Sequence, residues 1–191
     1  MKIYPAEGGV NKGYKGESMK TIVITDRPID LAETEERTFY RADKLGVVPC
    51  TGCMTCQFQT PGRCVYEDEM KPLCKAIQTC DELIIVSHIT DGMYDLPVLN
   101  LLSRTRPLEK PFYKKIDEEV HHVMRGVRKK TATVVGYGGR TPEENEMFKN
   151  FVRRTVYRFN IISLRVFATR ADNVDYCLSL GENAQEDEDD E

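Results

Sequence analysis

Short runs of consecutive apolar, largely β-branched residues recur along the chain at positions 21–25, 83–89, 131–137 and 161–167. Runs of this kind, without strict polar alternation, are typical of strands that are buried on both faces of a sheet. Residues 37–41 are interpreted as one more strand, second in chain order. The pattern therefore predicts five strands, most of them covered on both sides.

Between these runs the apolar residues recur at helical spacing. Residues 67–79 carry an i, i+3, i+4, i+7 stripe from Met70 to Ile77, and residues 97–104 begin with a proline, which the first turn of a helix accepts. Residues 141–159 open with Thr141-Pro142 and two glutamates, which supply a cap, a proline and two acids at the positive end of the helix dipole. Strands that alternate with helices predict an α/β domain with a mostly parallel sheet.

The bulk composition sets limits on this domain. A chain of 191 residues with a formal net charge of −4 fits one domain of ordinary size and has no basic field for nucleic acid. No apolar stretch is long enough to cross a membrane and the first residues start no signal region, so we expect a cytoplasmic protein. We expect a flexible segment over 1–20, the folded domain over 21–180 and an acidic, disordered tail over 181–191.

The most informative motif is a set of four cysteines with the spacing C-x2-C-x2-C-x7-C. They are Cys50, Cys53, Cys56 and Cys64. The turn pair Pro61-Gly62 can swing the last of them back toward the others, and four thiolates around one centre form a donor set for an iron–sulfur cluster or zinc. Three interpretations stay open: a [4Fe–4S] cluster, a structural zinc ion, and a loop that holds no metal. The other cysteines are predicted to be core thiols: Cys74, Cys80 and Cys177.

Two of the predicted strand ends carry residues suited to a ligand site. One is Ser87–Tyr94 and the other is Gly136-Tyr137-Gly138-Gly139, which precedes a predicted helix. Ligands of open parallel sheets bind beyond the carboxyl ends of the strands, and glycines there let a flat ring approach the backbone. His88, at the first of these ends, is interpreted as a satisfied polar residue more readily than as a catalyst.

The cysteine loop and the segments that follow it resemble a known family. The loop continues into Val65–Met70, then come a strand that begins at Cys80, the stretch Gly92–Pro107 and the glycine segment at 136–139. In this order they are similar to the flavodoxin-like, NAD(P)H-dependent FMN reductases of the iron–sulfur flavoprotein type. The resemblance covers residues 37–180. It implies a flavodoxin-like three-layer sandwich, bound FMN and a dimer, with electrons passing between NAD(P)H or a protein donor and an acceptor.

The same resemblance implies roles for particular residues. The four cysteines would be the ligands of a [4Fe–4S] cluster. The isoalloxazine ring of FMN would be lined by Thr90, Asp91, Gly92, Met93, Tyr94, Gly136, Tyr137, Gly138 and Gly139.

The chain departs from this family after its first strand. Members have a Gly-Ser-rich loop there that holds the FMN phosphate at a helix N-terminus, whereas this chain continues with Asp26-Arg27-Pro28-Ile29-Asp30. Two carboxylates would repel a phosphate dianion, and the interval to residue 37 is so short that the first helix must be short or missing.

Two hypotheses of function follow from the match and the departure. The first is an NAD(P)H-dependent FMN oxidoreductase of the iron–sulfur flavoprotein type. The alternative is a degenerate flavodoxin-like subunit without flavin, which acts as a structural or regulatory partner. Either would form a homodimer or a hetero-oligomer with a related flavoprotein.

A last candidate lies in the segment between residues 118 and 130. His121 and His122, taken as neighbours on a helix, would point about 100° apart and could not easily share one ion. One could donate a proton to a flavin or substrate, and a surface pair is the alternative. The basic residues that follow are predicted to form a solvated helix end or to attract a nicotinamide phosphate: Arg125, Arg128, Lys129 and Lys130.

Overall fold

The computed structural model describes residues 19–116 and 118–186. Its strands are β1 (Thr21–Thr25), β2 (Arg37–Arg41), β3 (Glu82–Thr90), β4 (Met93–Tyr94), β5 (Glu109–Ile116), β6 (Glu119–Met124), β7 (Lys130–Tyr137) and β8 (Ile161–Thr169). Its α-helices are α1 (Thr55–Phe58), α2 (Met70–Thr79), α3 (Leu96–Ser103), α4 (Pro142–Thr155) and α5 (Val174–Glu186). Short 3-10 turns lie at Arg106–Leu108, Val156–Phe159 and Ala171–Asn173.

Five strands form a parallel sheet in the order β2-β1-β3-β7-β8, and the two-residue β4 folds back antiparallel on β3. The predicted α/β fold with a mostly parallel sheet is confirmed. In this order the chain moves outward from β1 to β2 and then crosses to the other side of β1. The boundary between β1 and β3 is therefore the switch point, where sheets of this type open a ligand crevice.

Alternate residues of the central strands supply two separate cores, because successive side chains of a strand point to opposite faces. On one face, Ile22 and Ile24 of β1 belong to a large cluster with the buried stripes of α2, α3 and α4. On the other face, Val23 packs in a smaller cluster with Val174 and Leu178 of α5. Helices thus cover the sheet on both sides and complete a three-layer sandwich.

The connection from β1 to β2 is the unusual element. Residues 26–36 contain no helix, which confirms the prediction that the first helix is short or missing. The side chains of Ile29 and Leu31 pack against the α5 cluster instead. An extended segment with two apolar anchors therefore covers the area of sheet beside α5 where a crossover helix would lie.

The structure shifts the start of α2 and confirms the start of α4. Predicted to start at residue 67, α2 begins at Met70 because the carboxylate of Asp68 accepts the Met70 N–H (3.2 Å). As predicted, Thr141 caps α4, and its hydroxyl accepts the Glu144 N–H (3.1 Å). The expected division between domain and tail at 180/181 falls inside α5, which runs to Glu186. Residues 1–18 and 187–191 lie outside the described residues.

The helix assumed around His121 and His122 is wrong. These residues lie in β6, which pairs antiparallel with β5 to form a separate two-stranded sheet. Consecutive side chains in a strand point to opposite faces, so the two rings still cannot share one ion. The expected basic helix end is also wrong, because Lys130 is buried at the start of β7, where its ammonium group donates to the Arg128 carbonyl (2.9 Å).

Candidate functional site

The cysteine loop folds so that all four of its cysteines line one cavity. Cys56 lies in the short helix α1, and the Gly62 N–H donates to the Cys56 carbonyl (2.9 Å). This bond closes the turn that returns the chain to Cys64. The buried amide of Gln57 donates to the Arg106 carbonyl (2.8 Å), which fixes the loop against the segment that follows α3. The far wall of the cavity is formed by that segment.

A buried arginine stands behind the thiols. The Arg104 side chain is 1% exposed, and its two terminal nitrogens donate to the Asp68 carboxylate (2.8 and 3.0 Å). One of them also donates to the Val48 carbonyl and the other lies 3.5 Å from Cys64 Sγ. Its guanidinium lies over the Tyr66 ring, 5.2 Å from the centroid. A single cation thus ties both ends of the cysteine loop to α3 and faces a thiol.

Sequence reasoning placed Arg104 in a flavin-flanking stretch and missed this role. Arg104 and Asp68 are 36 residues apart in the chain, so no local periodicity connects them. The sequence offers one chemical signal of this pair. Asp68 follows the last cysteine of the motif by four residues, and a carboxylate so close to thiols suggests that a cation lies nearby. Burial alone would raise the pKa of Asp68, but the hydrogen bonds from Arg104 and from backbone N–H groups outweigh it and hold that pKa below its usual range.

The thiols of the loop differ in their surroundings. Hydrogen bonds from the backbone and hydroxyl of Thr55 lower the pKa of the exposed Cys53 thiol. Burial raises the pKa of Cys56, and negative charge on the other three cysteines of the loop raises it further. The neighbouring Cys74 in α2 is buried, which raises its pKa to about 12. Cys53 therefore loses its proton more readily than Cys56 or Cys74, and metal ligation requires the thiolate.

The donor set of the cavity suits one kind of metal centre better than another. In the described part of the chain, no three His, Cys, Asp or Glu side chains lie close enough to hold a single metal ion. Zinc needs its sulfur ligands at about 2.3 Å from one point, whereas a four-iron cluster takes four thiolates at four separate iron atoms. Four thiols spread around one cavity do not meet the tight geometry of a zinc site, and their ligation of a [4Fe–4S] cluster stays a prediction.

Across the carboxyl edge of the sheet, the first predicted flavin segment forms a tight turn. Thr90 ends β3, Asp91 and Gly92 turn the chain with positive φ, and Met93 begins β4. The exposed carboxylate of Asp91 pairs with Arg140 (2.8 Å). Tyr94 is 3% exposed and packs edge-on against Phe148 and Phe151 in the core. The structure therefore brings these residues together, but it places the Tyr94 ring inside the protein.

The second predicted segment follows β7 at the same edge. Gly136 lies against the rings and methylenes of Phe148 and Ile89, and Gly138 lies against the imidazole of His88. Gly139 lies against the side-chain amide of Asn145 in α4. The close approaches that these glycines permit are thus made by side chains of the protein itself. A role for Gly136, Tyr137, Gly138 and Gly139 in lining a flavin stays a prediction.

The carboxylate of Asp26 forms hydrogen bonds to both of these strand ends. Asp26 is the first residue after β1, and its oxygens accept the His88 backbone N–H (2.6 Å) and the Tyr137 hydroxyl (3.0 Å). His88 packs edge-on against the Tyr137 ring, and the Arg27 guanidinium lies 5.0 Å from the centre of the same ring. Burial raises the pKa of Asp26 against the opposing effect of these hydrogen bonds. An acidic residue therefore directly follows the first strand, where parallel α/β folds hold a phosphate with backbone N–H groups, and a carboxylate there does not fit the phosphate end of FMN.

The histidines of β6 make local contacts. His122 Nδ1 lies 2.9 Å from the Lys110 carbonyl, and its ring packs against Tyr113. His121 lies 3.4 Å from a Glu119 carboxylate oxygen, and its ring packs against Tyr157. These contacts stabilise the hairpin. Neither ring is among the residues that line the cysteine cavity, and neither lies at the carboxyl edge of the sheet.

Solved structures share this fold. One is an NADH:FMN oxidoreductase in its apo form, with a TM-score of 0.52 and 14% identity over 87% of this chain and 86% of that one. Another is an FMN-dependent NADH-azoreductase from Bacillus anthracis in complex with FMN, with a TM-score of 0.56 and 10% identity over 88% and 99% of the two chains. A third is an NAD(P)H:quinone oxidoreductase from Methanothermobacter marburgensis, with a TM-score of 0.53 and 11% identity over 86% and 93%.

At these identities the likeness shows the fold, which is the α/β fold with a mostly parallel sheet predicted from the strand pattern and the flavodoxin-like fold implied by the family resemblance. No family model matches the chain, and neither does any curated protein. None of the helices in the described part of the chain has the length and apolar character that a membrane crossing needs.

Proposed function

We propose that the protein is a flavodoxin-like redox protein whose cysteine loop carries an iron–sulfur centre. The observation that carries this proposal is the convergence of Cys50, Cys53, Cys56 and Cys64 on one cavity backed by Arg104. Bound in that cavity, a [4Fe–4S] cluster would supply one-electron transfer. The fold supports a redox role as well, since the structures that share it include oxidoreductases of NADH and NAD(P)H.

Each part of the site has a distinct task in this proposal. The four cysteines bind the cluster as thiolates, and the lowered pKa of Cys53 favours its deprotonated form. Arg104 offsets the negative charge of the thiolates, and the Asp68 carboxylate fixes the guanidinium in place. Hydrogen bonding and charge next to the sulfurs are among the factors that set the potential of such centres. A protein donor of single electrons would reduce the centre, because NAD(P)H gives up two electrons as a hydride and would need a flavin between it and the cluster.

A second candidate is an FMN-dependent NAD(P)H oxidoreductase with its flavin at the carboxyl edge of the sheet. The observation that favours it is the fold shared with an azoreductase that was solved with FMN. The position of Asp26 after β1 weighs against it. A cytoplasmic location and a homodimer, or a hetero-oligomer with a related flavoprotein, are predictions that belong to both candidates.

The visible spectrum of the anaerobically purified full chain separates the two candidates. A broad shoulder near ~400 nm that bleaches with dithionite indicates a cluster, and peaks near ~370 and ~450 nm indicate flavin. We expect the shoulder without the flavin peaks. A protein that stays colourless after anaerobic reconstitution with iron and sulfide would contradict the proposal.

Substitution of one ligand localises the centre. Cys53→Ser removes an exposed thiol and should abolish the shoulder while the protein stays folded. The matched control is Cys177→Ala, since Cys177 belongs to the core under α5 and lies outside the cavity. The control should keep the full absorbance. Equal loss of absorbance in both variants would place the chromophore elsewhere or indicate general unfolding.

A further inference from the structure

The crevice at the switch point lacks the elements that normally bind an anion there. Phosphates in such crevices are held by backbone N–H groups at the start of the helix that follows the first strand. Here no helix lies between Thr25 and Arg37. The chain turns immediately after β1, where the Asp26 N–H donates to the Val86 carbonyl (3.3 Å) and the Arg27 N–H donates to the Thr25 hydroxyl (3.2 Å). These two backbone donors are satisfied within the protein.

The side chain of Asp26 spans this end of the crevice. It reaches across from β1 to β3 and β7, where it accepts the His88 N–H and the Tyr137 hydroxyl at 2.6 and 3.0 Å. A carboxylate so held is half-buried and has two fixed donors. A bound phosphate would have to displace it from both.

The charge around Asp26 also disfavours a second anion. Asp95 lies at the same edge, where it accepts the Thr90 hydroxyl (3.1 Å). The neighbouring cation, Arg27, lies over the Tyr137 ring and donates to the backbone carbonyls of Pro28 and Ala171 (3.3 and 3.0 Å). We propose that Asp26 is a built-in anion that closes the phosphate end of the crevice, so that the chain binds no flavin nucleotide there until this carboxylate is removed.

Flavin titration of the full chain tests this inference. Binding of FMN and of riboflavin, which lacks the phosphate, is followed by quenching of flavin fluorescence in the wild type, Asp26→Asn and Asp26→Ser. Asparagine keeps the shape and a hydrogen-bond acceptor for the His88 N–H, and serine frees the space. Removal of a like charge beside a phosphate dianion should raise the affinity for FMN by at least about tenfold in both variants. Riboflavin should gain much less in both.

The matched control is Glu33→Gln, which removes an exposed carboxylate from the same connection between β1 and β2. It should bind FMN as weakly as the wild type, and thermal melting of each variant confirms that it is folded. Tight FMN binding by the wild type would overturn the inference. So would an unchanged FMN affinity in both Asp26 variants, or an equal gain for riboflavin. These outcomes do not depend on the cysteine loop, whose absorbance responds to Cys53.

Discussion

Arg104 connects the cysteine loop to the rest of the protein. In the described part of the chain, the carboxylate that forms an ion pair with it belongs to Asp68. Asp68→Asn would remove the carboxylate that pairs with a guanidinium whose side chain is 1% exposed. We expect a loss of about 3 kcal/mol in the free energy of unfolding, because removal of one partner strands a buried charge. Urea denaturation measures the difference.

A neighbouring surface pair provides the control for this substitution. Glu67 and Lys71 are an i, i+4 pair with side chains 64% and 61% exposed. Glu67→Gln should cost no more than about 0.5 kcal/mol, because exposed ion pairs contribute little to stability. If Asp68→Asn were equally mild, Arg104 would not depend on this carboxylate, and the proposed organisation of the cavity wall would be wrong.

A second prediction at the residue scale concerns pH. Glu144, in the first turn of α4, accepts the Arg140 N–H (2.7 Å) and pairs with its guanidinium (3.2 Å). The hydrogen bonds from Arg140 lower the pKa of Glu144 from 4.5 to about 2. A depressed pKa gives stability that is present above the unfolded value and is lost as pH falls through the folded value. The wild type should therefore lose its stability advantage over Glu144→Gln between pH 4.5 and about 2.

Unfolding midpoints of the two proteins across this range check the prediction. Glu143→Gln, which removes the adjacent acid and leaves the contacts of Arg140 with Glu144 intact, should follow the wild type. A constant difference between wild type and Glu144→Gln at all pH values would show that the effect of Glu144 does not come from its charge.

At the scale of elements, the contact between β7 and α4 depends on a missing side chain. A Cβ at Gly136 would overlap the Phe148 ring and contact Ile89, and Phe148 is fully buried. Gly136→Ala should destabilise the protein by about 2 kcal/mol through overpacking. In a Phe148→Leu background the added methyl group should cost less, and a double-mutant cycle of unfolding free energies measures the coupling.

The control for this cycle is Gly46→Ala, where an added Cβ would meet nothing within 4 Å. Its effect should lie within about 0.5 kcal/mol of zero. If Gly136→Ala cost the same in both backgrounds, contact with Phe148 would not be the reason for a glycine at this position.

Most elements follow from the sequence because their signals are local. The run at 21–25 is β1 without adjustment, and Thr141-Pro142-Glu143-Glu144 marks the start of α4 to the residue. The helix expected around His121 and His122 is instead strand β6 of the hairpin with β5. Its stability comes from pairing between two segments and from the contact of His121 with Tyr157, neither of which appears in a single window of sequence.

The candidate site also has a part that local sequence predicts and a part that depends on contacts between distant segments. The cysteine spacing is a local pattern and predicts a common centre, and the structure places all four cysteines on one cavity. The Asp68–Arg104 pair and the bridge from Asp26 to His88 and Tyr137 join distant segments. The sequence shows that Asp26 opposes a phosphate. Only the fold shows that its carboxylate is held by His88 and Tyr137 at the carboxyl edge of the sheet.

The molecule as a whole has two candidate ligand sites, and they lie at different places in the fold. The carboxyl edge at β1, β3 and β7 is the site that this fold usually offers to a ligand, and here its own side chains fill it. The cysteine cavity is built from the loop after β2 and the segment after α3. We propose that this cavity holds the redox centre of the protein.

The most direct test is the iron and acid-labile sulfide content of the anaerobically reconstituted full chain. We predict about four iron atoms and about four sulfides per chain, as a [4Fe–4S] cluster requires, with both lost in Cys53→Ser and retained in Cys177→Ala. A preparation that binds one zinc ion per chain, or no iron and sulfide above the level of Cys53→Ser, would contradict the account.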